Sequence, residues 1–551
     1  MSATPDLATR SALPAWQDLQ TRAAAMQSLH LRDLWQAPSR AADFSRRTGP
    51  LLFDFSKQRL RADDLAALFA LARECGLETA VTGLMRGDPV NNTEGRAALH
   101  TALRASPDEV IEVDGRNIVP DVHASLVRME SVVRRIHSRQ WRGYTGKAIT
   151  DVVNIGVGGS DLGPFMACNA LGEFIAPAAR DLRLHFVSSI DGTQIADLLG
   201  SLNPETTLFI VSSKSFATLD TLSNASTALQ WMLEDSGDED LMVRHHFIGV
   251  SARADRMTEW GIPESNQIGF WEWVGGRFSL WSAIGLPVAL LLGMSGFRDM
   301  LAGARFMDQH FRSVPLEDNL PVLLGLIGVW NATFLDIRGH TVLPYDGRLK
   351  FFPAYLTQLE MESNGKSVSR AGGALDYRTC PVLWGDVGPN AQHAFYQLLH
   401  QGTQAVSCDF IAPVRRYDEH RQNHELQVQH QLALANCLAQ SRVLMLGDAC
   451  VEDGESAPGF RRYRGNQPST TILLDELSPF TLGALVALYE HKVFVMSVIW
   501  DINPFDQWGV ELGKQIAEST YLALQLRQTG AFDGSTNTLM AHILAGGKEA
   551  S

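Results

Sequence analysis

The sequence has few cysteines and no closely spaced pair of them. Its six cysteines are scattered along 551 residues, and no C-x-x-C occurs, a distribution that suits a reducing cytosol. The first residues also lack a basic segment followed by an apolar run, which is the usual form of a secretory signal. We therefore expect a cytoplasmic protein that needs no disulfide or metal to stabilise its fold.

Positive charge is also scarce. The formal net charge is −14, with 47 Lys and Arg against 61 Asp and Glu, and the sequence pI is about 5.6. The negative electrostatic field of such a protein repels polyanions, so we expect no binding to nucleic acid. Hydrophobic content of 45% and charged content of 20% are ordinary for a globular protein and exclude a disordered or fibrous chain. A chain of this length is expected to form two or more α/β domains.

Long uncharged runs are rare as well. The main one, Phe278 to Phe297, has no charged residue over twenty positions and could in principle span a membrane. Ser279, Gly285 and Pro287 interrupt it, so we predict a buried core helix and no membrane association.

Short apolar runs alternate with helical patterns from about residue 150 onward, which indicates βαβ units and parallel sheets. The first 120 residues are predicted to be mostly helical, with one helix over Leu60–Cys75 and another that starts at a capping box, Asn91 to Glu94, and runs toward Arg104. The predicted strands form two series: Val152–Val157, Leu184–Ser189, Leu208–Ser213 and His246–Val250, then Val342–Pro344, Val382–Trp384, Asp409–Pro413 and Thr471–Leu474. The fold class is therefore α/β, with two doubly wound domains that bind ligands at the carboxyl ends of their strands.

A glycine-rich loop follows the first strand of the first series, from Gly156 to Pro164. Glycines at this position let the backbone approach an anion, and the helix that follows offers free N–H groups. The third glycine of a dinucleotide fingerprint is replaced by Asp161, and no nucleophile elbow fits around Ser160. A single phosphate is the better interpretation, although a tight turn without a ligand stays open.

A second loop is rich in hydroxyl groups and follows the third strand of this series. Residues 212–218 read Ser-Ser-Lys-Ser-Phe-Ala-Thr, just before a helix that starts near Leu219. Hydroxyls and one ammonium at a strand end are suited to hold a phosphate, although the same residues are common as helix caps. Two such loops on neighbouring strands can converge on one anion.

Candidate reactive residues lie further along the chain. Gly275-Gly276-Arg277 places a guanidinium next to an apolar segment, an arrangement that is costly unless an anion pairs with it. Glu362, His393 and Lys514 are possible proton-transfer groups, but any one of them could equally be an ordinary surface residue. No H-E-x-x-H motif is present, and we predict no metal site.

Taken together, these segments resemble the glucose-6-phosphate isomerase (phosphoglucose isomerase) family. The matching phrases occur in family order from about residue 90 to 515: Gly95–Arg104, Gly156–Pro164, Ser213–Phe216, Trp273–Leu286, Met361–Lys366, Gln392–Thr403 and Phe505–Lys514. Each phrase alone is only modestly specific, but seven in order are highly specific.

The resemblance implies an aldose-ketose isomerase that interconverts glucose 6-phosphate and fructose 6-phosphate through a cis-enediol, in glycolysis and gluconeogenesis. It also implies a homodimer without metal or organic cofactor. The expected division of the chain is a helical N-terminal part of the larger domain (1–118), a smaller sugar-isomerase domain (119–288), the larger sugar-isomerase domain (289–510) and a C-terminal helical arm (511–551).

Residue roles are carried over from the family position by position. Glu362 is implied to be the base that moves the proton between C2 and C1, with Arg277 stabilising the enediolate. His393, donated across the dimer interface, and Lys514 are implied to open the sugar ring. The implied substrate-binding residues are Gly159, Ser160, Ser213, Lys214, Ser215, Thr218, Gln358 and Gln507.

The sequence departs from the family pattern beside the second loop. Asp220 stands where the family usually has Glu, a carboxylate that supports the ring-opening histidine, and it is one methylene shorter. Ser215 replaces Thr, and Ala217 and Leu219 replace Thr and Gln, so we expect an altered phosphate affinity. The alternatives are an isomerase that also accepts mannose 6-phosphate, a non-catalytic sugar-phosphate sensor, and an extracellular signalling role.

Overall fold

The computed structural model describes residues 9–418, 423–451 and 454–546, and the chain divides into two compact units, one ending at Pro504 and one beginning at Phe505. In chain order the helices are α1 (Pro14–Met26), α2 (Arg40–Asp43), α3 (Ala62–Glu74), α4 (Leu77–Arg86), α5 (Val119–His137), α6 (Leu162–Ala170), α7 (Thr193–Leu199), α8 (Leu219–Ser236), α9 (Glu239–His246), α10 (Ala254–Glu259), α11 (Leu286–Ser313), α12 (Leu320–Val329), α13 (Phe352–Thr357), α14 (Gly388–Ala394), α15 (Tyr396–Gln401), α16 (His424–Leu446), α17 (Pro479–Ile499), α18 (Glu511–Gln525) and α19 (Gly534–Gly546). The strands are β1 (Ser45–Thr48), β2 (Leu51–Asp54), β3 (Glu112–Val113), β4 (Arg116–Asn117), β5 (Asp151–Ile155), β6 (Arg183–Val187), β7 (Thr207–Ser212), β8 (Phe247–Ser251), β9 (Gln267–Gly269), β10 (Gly339–Pro344), β11 (Val382–Gly385), β12 (Val406–Pro413) and β13 (Ser469–Leu474).

The smaller sheet is entirely parallel, with strand order β6-β5-β7-β8-β9. Its central strands β5 and β7 are buried along their whole length, as expected when helices cover both faces. Ile155 at the end of β5 pairs with Val211 near the end of β7, so the loops that follow these two strands leave the same edge of the sheet side by side. The predicted first series of strands is confirmed.

The larger sheet has the order β1-β2-β13-β12-β10-β11 and is mixed. The four strands of the predicted second series are parallel, and the hairpin β1–β2 extends the sheet by antiparallel pairing with β13. An antiparallel edge on a parallel sheet is common in α/β proteins. The prediction that the first 120 residues are mostly helical missed this hairpin, while the helix predicted over Leu60–Cys75 is present as α3.

The helix predicted from Asn91 to Arg104 is wrong. Asn91 forms a backbone bridge with Arg96, and its side-chain oxygen accepts a hydrogen bond from Asn503 at 2.9 Å. Only a 3₁₀ turn, His100–Arg104, follows. The contact with Asn503, more than 400 residues away, fixes the turn in a conformation that a local capping signal does not reveal.

Two long apolar helices, α11 and α17, pack against each other at the centre of the first unit. Both are long and apolar enough to cross a membrane, but 72% and 100% of their most apolar windows are buried inside the chain, as in core helices. The predicted burial of Phe278 to Phe297 is confirmed, but the segment is not one helix. It starts as 3₁₀ turns, and α11 begins only at Leu286, with Pro287 in its first turn, where a missing N–H costs nothing.

The second unit contains a short 3₁₀ turn, Trp508–Val510, followed by α18 and α19. None of the residues of α18 is buried, and large apolar side chains are exposed along it: Leu512, Ile516, Tyr521 and Leu522. The predicted arm began at 511, and the compact unit begins at Phe505. The inner boundaries at 118/119 and 288/289 stay predictions.

Candidate active site

The glycine-rich loop after β5 lies directly against two other segments that the sequence analysis singled out. A β-carbon added to Gly159 would lie 2.0 Å from the carbonyl oxygen of Gly276, and one added to Gly158 would lie 3.0 Å from the Nε2 atom of Gln358. Gly158 also has a φ of +59°, which favours glycine. Ser279 stabilises the contact between Gly159 and Gly276, because its hydroxyl donates to the carbonyl oxygens of both Gly276 (2.6 Å) and Gly159 (3.3 Å). The structure therefore brings the predicted loop, the Gly-Gly-Arg segment and Gln358 to one place.

Arg277 is a buried cation at this junction, with only 3% of its surface exposed. Its Nε donates to the Ser363 hydroxyl at 2.6 Å, and one terminal nitrogen donates to the Pro504 carbonyl oxygen at 2.5 Å. The other lies 3.6 Å from Oε1 of Glu362. These bonds hold the guanidinium plane in a fixed orientation beside the carboxylate, which is the condition for stabilising a charge that develops next to it.

Glu362 ends a π-helical turn, Gln358–Glu362, that continues α13. Turns of this kind are rare and occur often at functional sites. The side chain is about one-quarter exposed, yet its Oε2 atom is buried and has no hydrogen-bond partner among the residues that the structure describes. A buried carboxylate oxygen without a partner is costly, and here it is free to accept a proton from a bound molecule.

The hydroxyl-rich loop after β7 has the arrangement of an anion cradle. The hydroxyls of Ser213 and Thr218 lie 3.0 Å apart, and Thr218 immediately precedes α8, whose first N–H groups point toward this loop. Phe216 has a φ of +45°, an unusual conformation for a side chain of this size. Ser215 in the same loop is exposed, and Ser160 at the end of the neighbouring loop is buried.

Lys214 of this loop is engaged by a neighbour in the structure. Its Nζ donates to the carbonyl oxygen of Glu272 at 2.7 Å and lies 3.5 Å from the carboxylate of the same residue. Burial, together with the nearby charge of Arg96, lowers the pKa of Lys214 below its ordinary value. The ammonium therefore lies between the cradle and the segment that leads to Arg277.

Asp161 follows Ser160 at the start of α6 and is a second buried carboxyl group. Only 8% of it is exposed, and its Oδ1 atom has no hydrogen-bond partner within the described chain. Burial raises the pKa of Asp161 to about 6. In the sequence, Asp161 stands out only as the residue that breaks a dinucleotide fingerprint, and the pattern gives no sign of its burial.

Four predicted residues remain, of which His393 and Asp220 belong to the first unit and make no side-chain hydrogen bond with the groups described above. The His393 side chain is exposed on α14 and makes no hydrogen bond within the part of the chain that the structure describes. Asp220 is half-buried in the first turn of α8. Gln507 and Lys514 belong to the second unit, where Lys514 lies on α18 and its Nζ bonds Glu511 at 2.7 Å. Their predicted roles stay predictions.

A family model described as phosphoglucose isomerase matches residues 54–540, most of the chain. The chain belongs to this family. The chain is 59% identical over 525 residues to "Glucose-6-phosphate isomerase 2" of Chromohalobacter salexigens, covering 93% of this chain and 94% of that protein. It is 58% identical over 538 residues to "Glucose-6-phosphate isomerase" of Psychrobacter cryohalolentis, covering 96% of both.

A solved structure supports the same assignment for the fold. The crystal structure of a glucose-6-phosphate isomerase from Chlamydia trachomatis aligns with a TM-score of 0.85 at 29% identity, covering 98% of this chain and all of that one. The resemblance inferred from seven short phrases is thereby confirmed for the family and for the α/β fold.

Several residues that hold this candidate site together could not be recognised from the sequence. Ser279 and Ser363 fix the backbone of the glycine loop and the guanidinium of Arg277, and a serine gives no signal of such a role in a single sequence. Glu360 and Lys492 form a buried ion pair behind Glu362. The Lys492 side chain could have been noticed, because it interrupts a long apolar helix with a charge.

Proposed function

We propose that this protein interconverts glucose 6-phosphate and fructose 6-phosphate, the activity named for its relatives in Chromohalobacter and Psychrobacter. The observation that carries the mechanism is the pair of Arg277 and Glu362, a fixed cation 3.6 Å from a carboxylate whose buried Oε2 has no hydrogen-bond partner among the described residues. A carboxylate base beside a fixed cation is what an isomerisation through an enediol requires, because a proton leaves carbon as negative charge grows on the adjacent oxygen.

The substrate phosphate is proposed to bind where the loops after β5 and β7 meet. Ser160, Ser213, Ser215 and Thr218 supply hydroxyl donors, and the start of α8 supplies N–H groups. Neighbouring parallel strands place both loops at the same sheet edge. Lys214, whose Nζ donates to the carbonyl oxygen of Glu272, contributes positive charge. In a chain with a net charge of −14, these local donors are needed to attract an anion.

Proton transfer is assigned to Glu362. With the phosphate in the cradle, the open-chain sugar would extend toward Gln358 and the π-helical turn, which lie against Gly158. Glu362 removes the proton from C2, and Arg277 stabilises the negative charge that develops on O1 of the enediolate. The hydroxyl proton passes from O2 to O1, and Glu362 returns its own proton to C1. Gly159, Gln358 and Gln507 are proposed to contact the sugar.

Ring opening is assigned to His393 and Lys514, which move a proton between O1 and O5, with Asp220 supporting His393. His393 is exposed and unbonded within its own described chain, as expected for a residue that serves a second copy. The exposed apolar side chains of α18, such as Leu512 and Ile516, also suit a helix that packs on a partner subunit. We therefore propose a cytoplasmic homodimer with His393 donated across the interface.

A sugar-phosphate sensor is the main alternative. A sensor would need the cradle alone, and the Arg277–Glu362 pair would then be a buried charge arrangement without a use. The experiment is Glu362→Gln, which keeps the shape but removes the base. We expect substrate binding to persist, while turnover falls about 10²- to 10⁴-fold. Deuterium from solvent should enter C1 or C2 with wild-type protein and not with the variant. Binding by wild-type protein without any turnover would establish the sensor instead.

The shared site has its own test. Subunits with Glu362→Gln are mixed with subunits that carry His393→Ala, each nearly inactive alone, and are allowed to reassociate. A two-fold dimer in which His393 acts in trans then has one intact site in each hybrid, so about a quarter of wild-type activity should return. If His393 works within its own subunit, every site keeps one defect, and tagged hybrids will form but stay inactive.

A further inference from the structure

Helix α17 carries an unusual run of buried polar groups. Most of its 21 residues are apolar, yet Tyr489, Glu490, His491 and Lys492 follow one another at its centre, each 2% exposed or less. Buried charges are costly unless they are paired, and a well-packed apolar substitute is often at least as stable. Stability alone therefore does not explain why such a run lies in the core of the first unit.

Lys492 points from α17 to the π-helical turn. Its Nζ donates to Oε2 of Glu360 at 2.7 Å, and both side chains are 2% exposed. Burial lowers the pKa of Lys492, but the charges of Glu360 and Asp409 more than offset this and raise it above its ordinary value. Lys492 is therefore a cation, and the other polar groups around it, His340 and the Tyr489 hydroxyl, are bonded to Asp409.

Glu360 and Glu362 belong to the same five-residue turn and point in different directions. Glu360 is buried and anchored to α17, whereas Glu362 is partly exposed beside Arg277. A π-helical turn is less favourable than the α-helix it continues and persists only where the surrounding structure supports it. The ion pair supplies such support on one side of the turn, and the bond between Arg277 and the Ser363 hydroxyl supplies it on the other.

We propose that Lys492 and Glu360 are positioning residues that hold the π-helical turn so that the carboxylate of Glu362 stays in register with Arg277. The proposal rests on the role of Glu362 as the base. It predicts that loss of the ion pair slows proton transfer from C2 while leaving the phosphate cradle, which lies on the other sheet, unaffected.

The test is the double variant Glu360→Gln/Lys492→Met, which nearly keeps the side-chain volumes and removes both charges of the pair, while Asp409 keeps its bonds to His340 and Tyr489. The matched control is His491→Leu, the adjacent residue of α17. His491 bonds Asp308 at 2.7 Å and stacks on Phe311, away from the π-helical turn, so this change weakens the same helix without touching the pair. Both are compared with wild type and with Glu362→Gln for kcat, KM and the isotope effect of deuterium at C2 of glucose 6-phosphate.

We expect the double variant to lose about 10- to 100-fold in kcat, the effect of a small misplacement of a reacting group. Its KM should stay within about twofold of wild type, and its isotope effect should rise because proton transfer becomes more rate-limiting. The control should keep the wild-type isotope effect, and its kcat is compared with that of wild type per folded molecule.

Two results would overturn the proposal in distinguishable ways. In the first, Glu362→Gln is inactive but the double variant keeps the wild-type kcat, or its kcat falls while its isotope effect stays at the wild-type value, as in the control. The ion pair would then have a structural role only. If Glu362→Gln itself retains turnover, the assignment of the base is wrong, and the positioning role is withdrawn with it.

Discussion

Because of Asp161, the free energy of unfolding of the first unit should decrease as pH rises from about 4 to 6. Its side chain is buried, one oxygen lacks a hydrogen-bond partner within the described chain, and its pKa is raised from 3.8 to about 6. The raised pKa means that between about pH 4 and 6 the folded state holds a proton that the unfolded state has released, so the stability present below about pH 4 falls through this range. That contribution is lost as pH rises through 6.

The magnitude follows from the shift. About two pKa units at about 1.4 kcal/mol each give about 3 kcal/mol, which is the destabilisation due to ionised Asp161 at pH 7 and above. In the Asp161→Asn variant this penalty is absent. The variant should therefore be more stable than wild type by up to about 3 kcal/mol at pH 7 to 8, and the difference should vanish toward pH 4.

The assay is urea unfolding of variant and wild type, followed at several pH values from 4 to 8. Comparing the two proteins at each pH cancels the other titrating groups, which they share. Asp299→Asn, which removes an exposed carboxylate on α11, is the control for the loss of one charge and should change the free energy of unfolding by less than about 0.5 kcal/mol. A constant difference for Asp161→Asn, or a variant that is less stable than wild type at pH 8, would refute the reasoning.

Two further predictions concern the proposed chemistry. Arg277→Lys keeps the charge, but a single ammonium cannot bond Ser363 and Pro504 and also face Glu362. We therefore expect kcat in the coupled assay to fall about 10²- to 10³-fold. A variant with near wild-type kcat would mean that the planar guanidinium is dispensable. Replacing Ser213 and Thr218 by Ala should raise KM for fructose 6-phosphate more than it lowers kcat, with each lost hydrogen bond costing about 1.5–3 kcal/mol. The control is Ser201→Ala, an exposed serine just after the end of α7. If wild-type protein turned over unphosphorylated fructose as well as fructose 6-phosphate, that result would contradict the cradle.

Local features of the site were predictable because they depend on residues close together in sequence. The two phosphate-loop candidates after β5 and β7 could be recognised from the pattern alone. Each consists of a buried strand, a loop rich in glycine or hydroxyl groups and the start of a helix, all within about fifteen residues. The cap of α17 is another local feature, since the Ser478 hydroxyl accepts a hydrogen bond from the N–H of Thr481 only three residues away.

Features that depend on distant contacts were decided only by the tertiary structure. The turn at Asn91 is set by Asn503, and the hairpin β1–β2 gains its place by pairing with β13 near the other end of the chain. The same holds for the ion pair of Glu360 and Lys492, which are 132 residues apart. A lysine in an apolar run can be read as an anomaly, but its partner cannot be identified from sequence. The energy of a buried charge depends on what surrounds it in space, and residues far apart in the chain supply those surroundings.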